Sequence, residues 1–260
     1  MTGAPLPDVT ERLDSIESEN GVRILFACES GSRAWGFPSQ DSDYDVRFLY
    51  VRPLDWYLAI DGAKRRDVIE LPIDGLWDVN GWDIRKALGL LQKSNPPLLE
   101  WLQSPIVYRH DAAFLSRMLA LVADFHSPRS CRLHYLSMAN ANHRQYLKGD
   151  RVWRKKYFYL LRPLFACRWI ERELGPVPME FDTMLRGVDL PADVIEVTER
   201  LLVEKRAGTE EEQGPAEPVL NAFIDAERAH QESLGSEWAR TDPLNAAPLN
   251  AFFRALVLHT

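Results

Sequence analysis

The chain has 260 residues, with 38 Asp and Glu against 31 Lys and Arg and a formal net charge of −7. That length is ample for a core in one large or two small domains, and the acidic balance argues against a broad basic surface for long nucleic acid. No apolar run approaches the ~20 residues that span a bilayer. The opening MTGAPLPDVTERLDSIESENG has neither the basic start nor the apolar stretch of a signal peptide. The expectation is a cytoplasmic protein with no membrane partner. Cys28, Cys131 and Cys167 are odd in number and far apart, match no zinc or disulfide spacing, and read as buried free thiols.

In chain order, residues 10–19 read as a short helix stopped by Asn20-Gly21. VRILFAC (22–28) is mostly apolar, the signature of a buried strand. It breaks at Glu29-Ser30-Gly31-Ser32, where Gly31 permits a tight turn and Ser32 offers a hydroxyl and a backbone N–H. Exposed N–H groups at such a turn form an anion cradle. A polar loop at Phe37-Pro38-Ser39-Gln40 leads to a second strand, 43–51.

Alternation along that strand puts Asp43, Asp45 and Arg47 on one face and Tyr44, Val46 and Phe48 on the other. Two carboxylates about 4 Å apart repel by roughly 4 kcal/mol at an effective dielectric of 20, so a fold keeps them together only with a cation or a proton between them. Mg²⁺ suits the pair, being a hard cation that takes one or two carboxylates plus phosphate oxygens. Asp43 and Asp45 therefore read as half of a two-metal site. Arg47 on the same face has two open readings: phosphate binding, or balance of an acidic cluster. Asp-x-Asp alone is common in solvated turns; the preceding Gly-Ser, the flanking strands and the ten residues between Ser32 and Asp43 make the combination specific.

Further strands are expected at 67–73 and 76–81, helices from Ile84 and from Pro96, and a short strand at 106–108. Beyond Asp111 the pattern turns helical: 112–125, 129–147, 151–174 with a kink at Pro163, 192–205, 219–234 and 248–258. Residues 207–218 carry Gly, Glu and Pro in the manner of a loop. The expected division is a catalytic part over 1–110 and a helical substrate-binding lobe over 111–260, in an α+β fold. Arg144, Lys148, Arg151, Lys155 and Arg162 would share one helical stripe if the helix were continuous, but Lys148-Gly149-Asp150 reads as a turn between two helices. Interleaved Trp153, Tyr157, Phe158 and Tyr159 suit either base stacking or a core.

GSRAWGFPSQDSDYDVRFLYV resembles the signature of the DNA polymerase beta nucleotidyltransferase superfamily. The likeness is closest to the nucleotidyltransferases associated with bacterial RNA-repair pathways. WDVNGWDIRKALGLLQKSNPPLLEWLQSPIVY and KKYFYLLRPLFACRWI extend it, so that it covers 21–170. The resemblance implies a small mixed-sheet nucleotidyltransferase core, an NTP donor (ATP foremost), two divalent ions, Mg²⁺ or Mn²⁺, and a third carboxylate on a neighbouring strand. Asp78 is the favoured third ligand. Asp83 directly precedes a helical pattern and is the alternative, more economically an N-cap; Glu70 comes third. Gly31, Ser32 and Arg33 would grip phosphates, with Lys155 and Arg162 as further nucleotide contacts. The implied reaction moves a nucleoside monophosphate to a hydroxyl with release of pyrophosphate, the metal-activated hydroxyl attacking in line. An RNA 3′ end is the favoured acceptor. A protein or small-molecule hydroxyl is the alternative, and a silent nucleotide-binding scaffold a third.

Overall fold

The structure, a computed structural model, describes residues 6–147, 149, 151–208, 213–235 and 245–258. Its first compact unit holds the described residues of Met1–Ala34, Asp43–His126 and Asp242–Thr260, and its second those of Trp35–Ser42 and Ser127–Thr241.

In the first unit, helix α1 (Leu6–Asn20) precedes strand β1 (Arg23–Glu29), the short turn α2 (Gly31–Ala34) and strand β2 (Tyr44–Val51). After α3 (Leu54–Leu58) and a 3₁₀ turn at Gly62–Lys64 come strands β3 (Val68–Glu70) and β4 (Trp77–Asp83). Helices α4 (Ile84–Gln92) and α5 (Pro96–Leu102), strand β5 (Val107–His110) and helix α6 (Ala112–Phe125) follow. The strands form one mixed sheet in the order β3-β4-β2-β1-β5. β2 and β4 run parallel; the other pairs are antiparallel.

Strand alternation decides what each face carries. Val46, Phe48 and Tyr50 of β2 and Val79 of β4 form a core with Val9, Leu13 and Ile16 of α1. Phe48 reaches across Gly81, where an added Cβ would overlap its ring. On the other face Trp82 of β4 stacks on Trp101 of α5 with ring centroids 3.8 Å apart. Asp45, Arg47 and Asp78 share that face by register.

The first unit runs on past residue 110, through His126. Helix α6 packs on β1 and α4, and the last described helix, α12 (Ala247–Val257), returns to the same unit through Phe252, stacked on Phe114, and Phe253, edge-on to Tyr57. The break falls near Ser127, because apolar residues of α6 complete the sheet's cover.

The second unit contains α7 (Pro128–Tyr146), β6 (Arg151–Trp153), α8 (Lys156–Glu171), α9 (Phe181–Gly187), α10 (Ala192–Ala207), β7 (Gln213–Pro215) and α11 (Pro218–Ser233). Phe37, Phe158, Phe165 and Phe181 interlock at its centre, with ring centroids 4.9–5.7 Å apart. Arg132, 1% exposed, caps α11 by donating to the Gln231 and Gly235 carbonyls, each at 2.8 Å. Residues 151–153 are a strand paired with β7 rather than the first turn of a helix, and β7 lies in the stretch expected to be loop. Helix α8 continues through Pro163. The basic residues share no continuous helix: Arg144 is in the last turn of α7, Arg151 is on β6, and Arg162 is buried in α8. Lys148 and the turn around it, like 209–212 of the expected loop, lie outside the described residues apart from Gly149. Tyr157 and Phe158 are core residues, and Tyr159 is 41% exposed. Cys28, Cys131 and Cys167 are buried free thiols, and burial pushes the thiols of Cys28 and Cys167 upward. No described helix is long and apolar enough to cross a membrane.

Candidate active site

The parallel register of β2 and β4 pairs Asp45 with Asp78 directly, followed by Arg47 with Asn80 and Leu49 with Trp82. Two acidic side chains on one face of adjacent strands are thereby held side by side at the beginning of both strands. Arg47 lies between them: its Nη2 donates to Asp45 Oδ1 at 2.9 Å and to Asp78 Oδ2 at 2.8 Å. Asp43 immediately precedes β2, exposed, and its negative charge raises the affinity of Asp45 for a proton. Asp45 is pushed up to about 6, chiefly by burial; Arg47 opposes this, while Asp78 and Asp43 add to it.

The turn after β1 is built against Asp45. Ser30 N–H donates to the Asp45 carbonyl at 2.8 Å, and Asp45 N–H donates to Glu29 Oε1 at 2.7 Å. Gly31 has φ +56°, and a Cβ there would overlap the Asp45 carboxylate. Ser32, half-buried, is in the first turn of α2 directly after it. Arg33 is 7% exposed; its Nε donates to the Asp43 carbonyl at 3.0 Å and its guanidinium lies 3.8 Å from the centre of the Tyr44 ring. It braces the loop end that carries Asp43, a role the phosphate-binding expectation did not include.

The candidates for a third carboxylate occupy three distinct places. Asp78 is beside Asp45. Asp83, five residues further along β4, falls on the opposite face by strand parity. It is fully buried, caps α4 through the Arg85 N–H at 2.8 Å and accepts from the Tyr57 hydroxyl at 2.7 Å. Burial raises its carboxyl above the ordinary range. Glu70 is exposed and paired with Arg66 at 2.7 Å.

Lys155 and Arg162 belong to the second unit. Lys155 is half-buried at the start of α8, its Nζ 5.8 Å from the Trp153 ring. Arg162 is 2% exposed, donates to the Met179 carbonyl at 3.2 Å and stacks 4.8 Å from the Trp35 ring. A guanidinium so enclosed belongs to the unit's interior, because its apolar stem and planar head fill space between α8 and the Trp35 segment.

One supporting residue escaped the sequence reading. Glu29 is 0% exposed, receives the Asp45 N–H and the Tyr108 hydroxyl, and is pushed up to about 7, chiefly by burial. The available signal was an acidic residue closing an apolar strand immediately before Gly-Ser.

The donor chemistry fits a hard divalent cation: carboxylate oxygens from Asp45 and Asp78 in register, with Asp43 adjoining them. Among the described residues, however, no group of three or more His, Cys, Asp and Glu side chains stands arranged around a common cation position. Arg47 supplies the positive charge between Asp45 and Asp78.

The chain is 43% identical over 247 residues to the uncharacterized protein YcgL of Bacillus subtilis, covering 93% of this chain and 94% of that one. A crystal structure of a nucleotidyltransferase-like protein from Exiguobacterium sibiricum aligns with 97% of this chain and 80% of its own, at 12% identity and a TM-score of 0.31. The model of the RNA repair pathway DNA polymerase beta family matches residues 7–255. The chain belongs to that family, which makes it a polymerase beta-like nucleotidyltransferase by descent.

Proposed function

We propose that the protein transfers a nucleoside monophosphate from an NTP, ATP foremost, to a hydroxyl acceptor with release of pyrophosphate, and that the acceptor is an RNA 3′ end. The observation that carries the reading is the Asp45–Asp78 pair in register on parallel strands, with the Gly31 turn built against Asp45. The family description supplies the connection to RNA repair. Divalent ions, Mg²⁺ or Mn²⁺, bound by Asp43, Asp45 and Asp78 would neutralise phosphate charge and lower the pKa of the attacking hydroxyl.

The chain's own groups do the rest. Gly31 and Ser32 present backbone N–H groups and a hydroxyl to the β and γ phosphates. Glu29 fixes the backbone of Asp45 from below, and Arg33 fixes that of Asp43. The face of the sheet is thereby preorganised, so that little reorganisation accompanies the growth of charge in the transition state.

The test is incubation with Mg²⁺ and each α-phosphate-labelled NTP, with and without mixed short RNAs, against an Asp43→Asn/Asp45→Asn blank. Label on RNA that requires both the metal and the aspartates supports the reading. Label on protein instead moves the acceptor to a protein hydroxyl, which the net charge of −7 favours over a long RNA. NTP binding without any transfer indicates a silent scaffold.

A further inference from the structure

Arg47 makes more contacts than a simple neutralising charge needs. Besides Asp45 Oδ1 and Asp78 Oδ2, its guanidinium donates from Nη1 to the Asp78 carbonyl at 2.7 Å, the Val46 carbonyl at 3.1 Å and Asp78 Oδ1 at 3.2 Å. Only 16% of the side chain is exposed. Both Nη atoms face oxygens of the protein itself, so in this state Arg47 does not offer them to a ligand phosphate. The carboxylate oxygens it holds are those a divalent ion would use on the reading above. A guanidinium and a divalent cation cannot share them in this geometry, because two cations a few ångströms apart in a partly buried site repel strongly.

We propose that Arg47 is a built-in counter-cation. It holds Asp45 and Asp78 together while no divalent ion is bound, competes with that ion for their oxygens, and yields when the ion arrives with a nucleoside triphosphate. The phosphates then give the displaced guanidinium, a planar fork suited to phosphate, a new anionic partner. Bare metal therefore binds weakly, and metal and nucleotide reinforce one another reciprocally. The inference rests on the metal-dependent reading and adds to it a positioning residue that couples the two ligands.

The experiment is a Mn²⁺ titration followed by electron paramagnetic resonance of the free ion. It uses the full chain as wild type, Arg47→Gln, Arg47→Lys and Asp45→Asn, each with and without α,β-methylene-ATP, with a parallel thermal melt in EDTA. Arg47→Gln is expected to bind Mn²⁺ alone about tenfold or more tightly than wild type, with Arg47→Lys intermediate. The enhancement by the nucleotide analogue is expected to be larger in wild type than in either variant. In EDTA, Arg47→Gln should melt lower, since the paired carboxylates lose their counter-charge. Mn²⁺ affinity unchanged or weaker in the variants, while still dependent on Asp45, would make Arg47 a fixed structural strut and overturn the inference. Should Arg47→Gln fail to fold, Arg47→Lys decides by the same comparison. Equal Mn²⁺ binding by wild type and Asp45→Asn would instead remove the metal site, and the metal-dependent reading and this inference would fall together.

Discussion

Gly31 and Asp45 are in contact through the space that a side chain at position 31 would fill: a Cβ there would overlap Oδ2 and lie 2.7 Å from Cγ. The positive φ of +56° adds a second requirement for glycine. Gly31→Ala is therefore expected to push the carboxylate out of register with Asp78, since the neighbouring backbone is held by the Ser30–Asp45 hydrogen bond. Transfer activity should fall by roughly 10²-fold, as a misplacement of about 1 Å costs. Strain should lower stability by about 1–3 kcal/mol. Steady-state label transfer and a thermal melt check both; an alanine variant with wild-type turnover would show that the turn has no part in placing Asp45.

Asp78 and Asp83 are separated by what each contacts. Asp78→Asn removes a charge beside Asp45 from a side chain that is 40% exposed, so activity should drop roughly 10²-fold or more with little change in melting temperature. Asp83→Asn keeps an oxygen for the Arg85 N–H and should retain most activity, whereas Asp83→Ala leaves that N–H and the Tyr57 hydroxyl without their acceptor and should cost about 1–3 kcal/mol. Turnover and denaturant midpoints on the three variants decide between ligand and cap. Loss of turnover in Asp83→Asn at an unchanged midpoint would reverse the roles assigned to the two residues.

The five-stranded sheet was legible because its signals are local. The apolar run before Gly31, the alternation after Asp43 and the Asp83 cap each follow from a few neighbouring residues. The register that brings Asp78 to Asp45 is not local: it joins strands 33 residues apart, and parallel pairing leaves no hairpin turn from which to read it. Glu29 was invisible for a related reason, since its partners are an N–H on β2 and a hydroxyl on β5. Arg47 had two chemically sound readings until Asp78 was placed next to it. In the second unit, position along a helix does not tell a solvated arginine from a buried one; Arg162 is buried where it meets Met179, beyond the end of its helix, and Trp35, far away in sequence.

Arg162 should accordingly affect stability rather than nucleotide affinity. Arg162→Met retains much of the apolar stem but removes the donor to the Met179 carbonyl and the cation over Trp35. A loss of about 1–3 kcal/mol is expected from the unpaired buried carbonyl and the lost stacking. The NTP dissociation constant, measured by titration below the melting transition, should stay within about twofold of wild type, a change of less than ~0.5 kcal/mol. Weakened NTP binding with an unchanged melting temperature would return Arg162 to the nucleotide site.

The buried Glu29 gives the protein a distinctive pH dependence. Its carboxyl is raised from 4.5 to about 7 because burial disfavours the charged form more than the Tyr108 and Asp45 hydrogen bonds favour it. Below pH 4.5 the group is protonated in both the folded and the unfolded chain and contributes nothing to the pH dependence. Between 4.5 and about 7 the unfolded chain releases the proton while the folded chain keeps it, so stability falls as pH rises. Above about 7 both forms are ionised and the loss is complete, up to roughly 3 kcal/mol at 1.36 kcal/mol per pH unit. Glu29→Gln keeps an oxygen for the Asp45 N–H but cannot ionise. Its melting temperature in EDTA, compared with wild type from pH 5 to pH 8, should show the variant gaining on wild type as pH rises, with the difference levelling off above about 7. Parallel wild-type and variant profiles would mean that Glu29 is ionised throughout this range, and its hydrogen bonds to Asp45 and Tyr108 would then outweigh its burial.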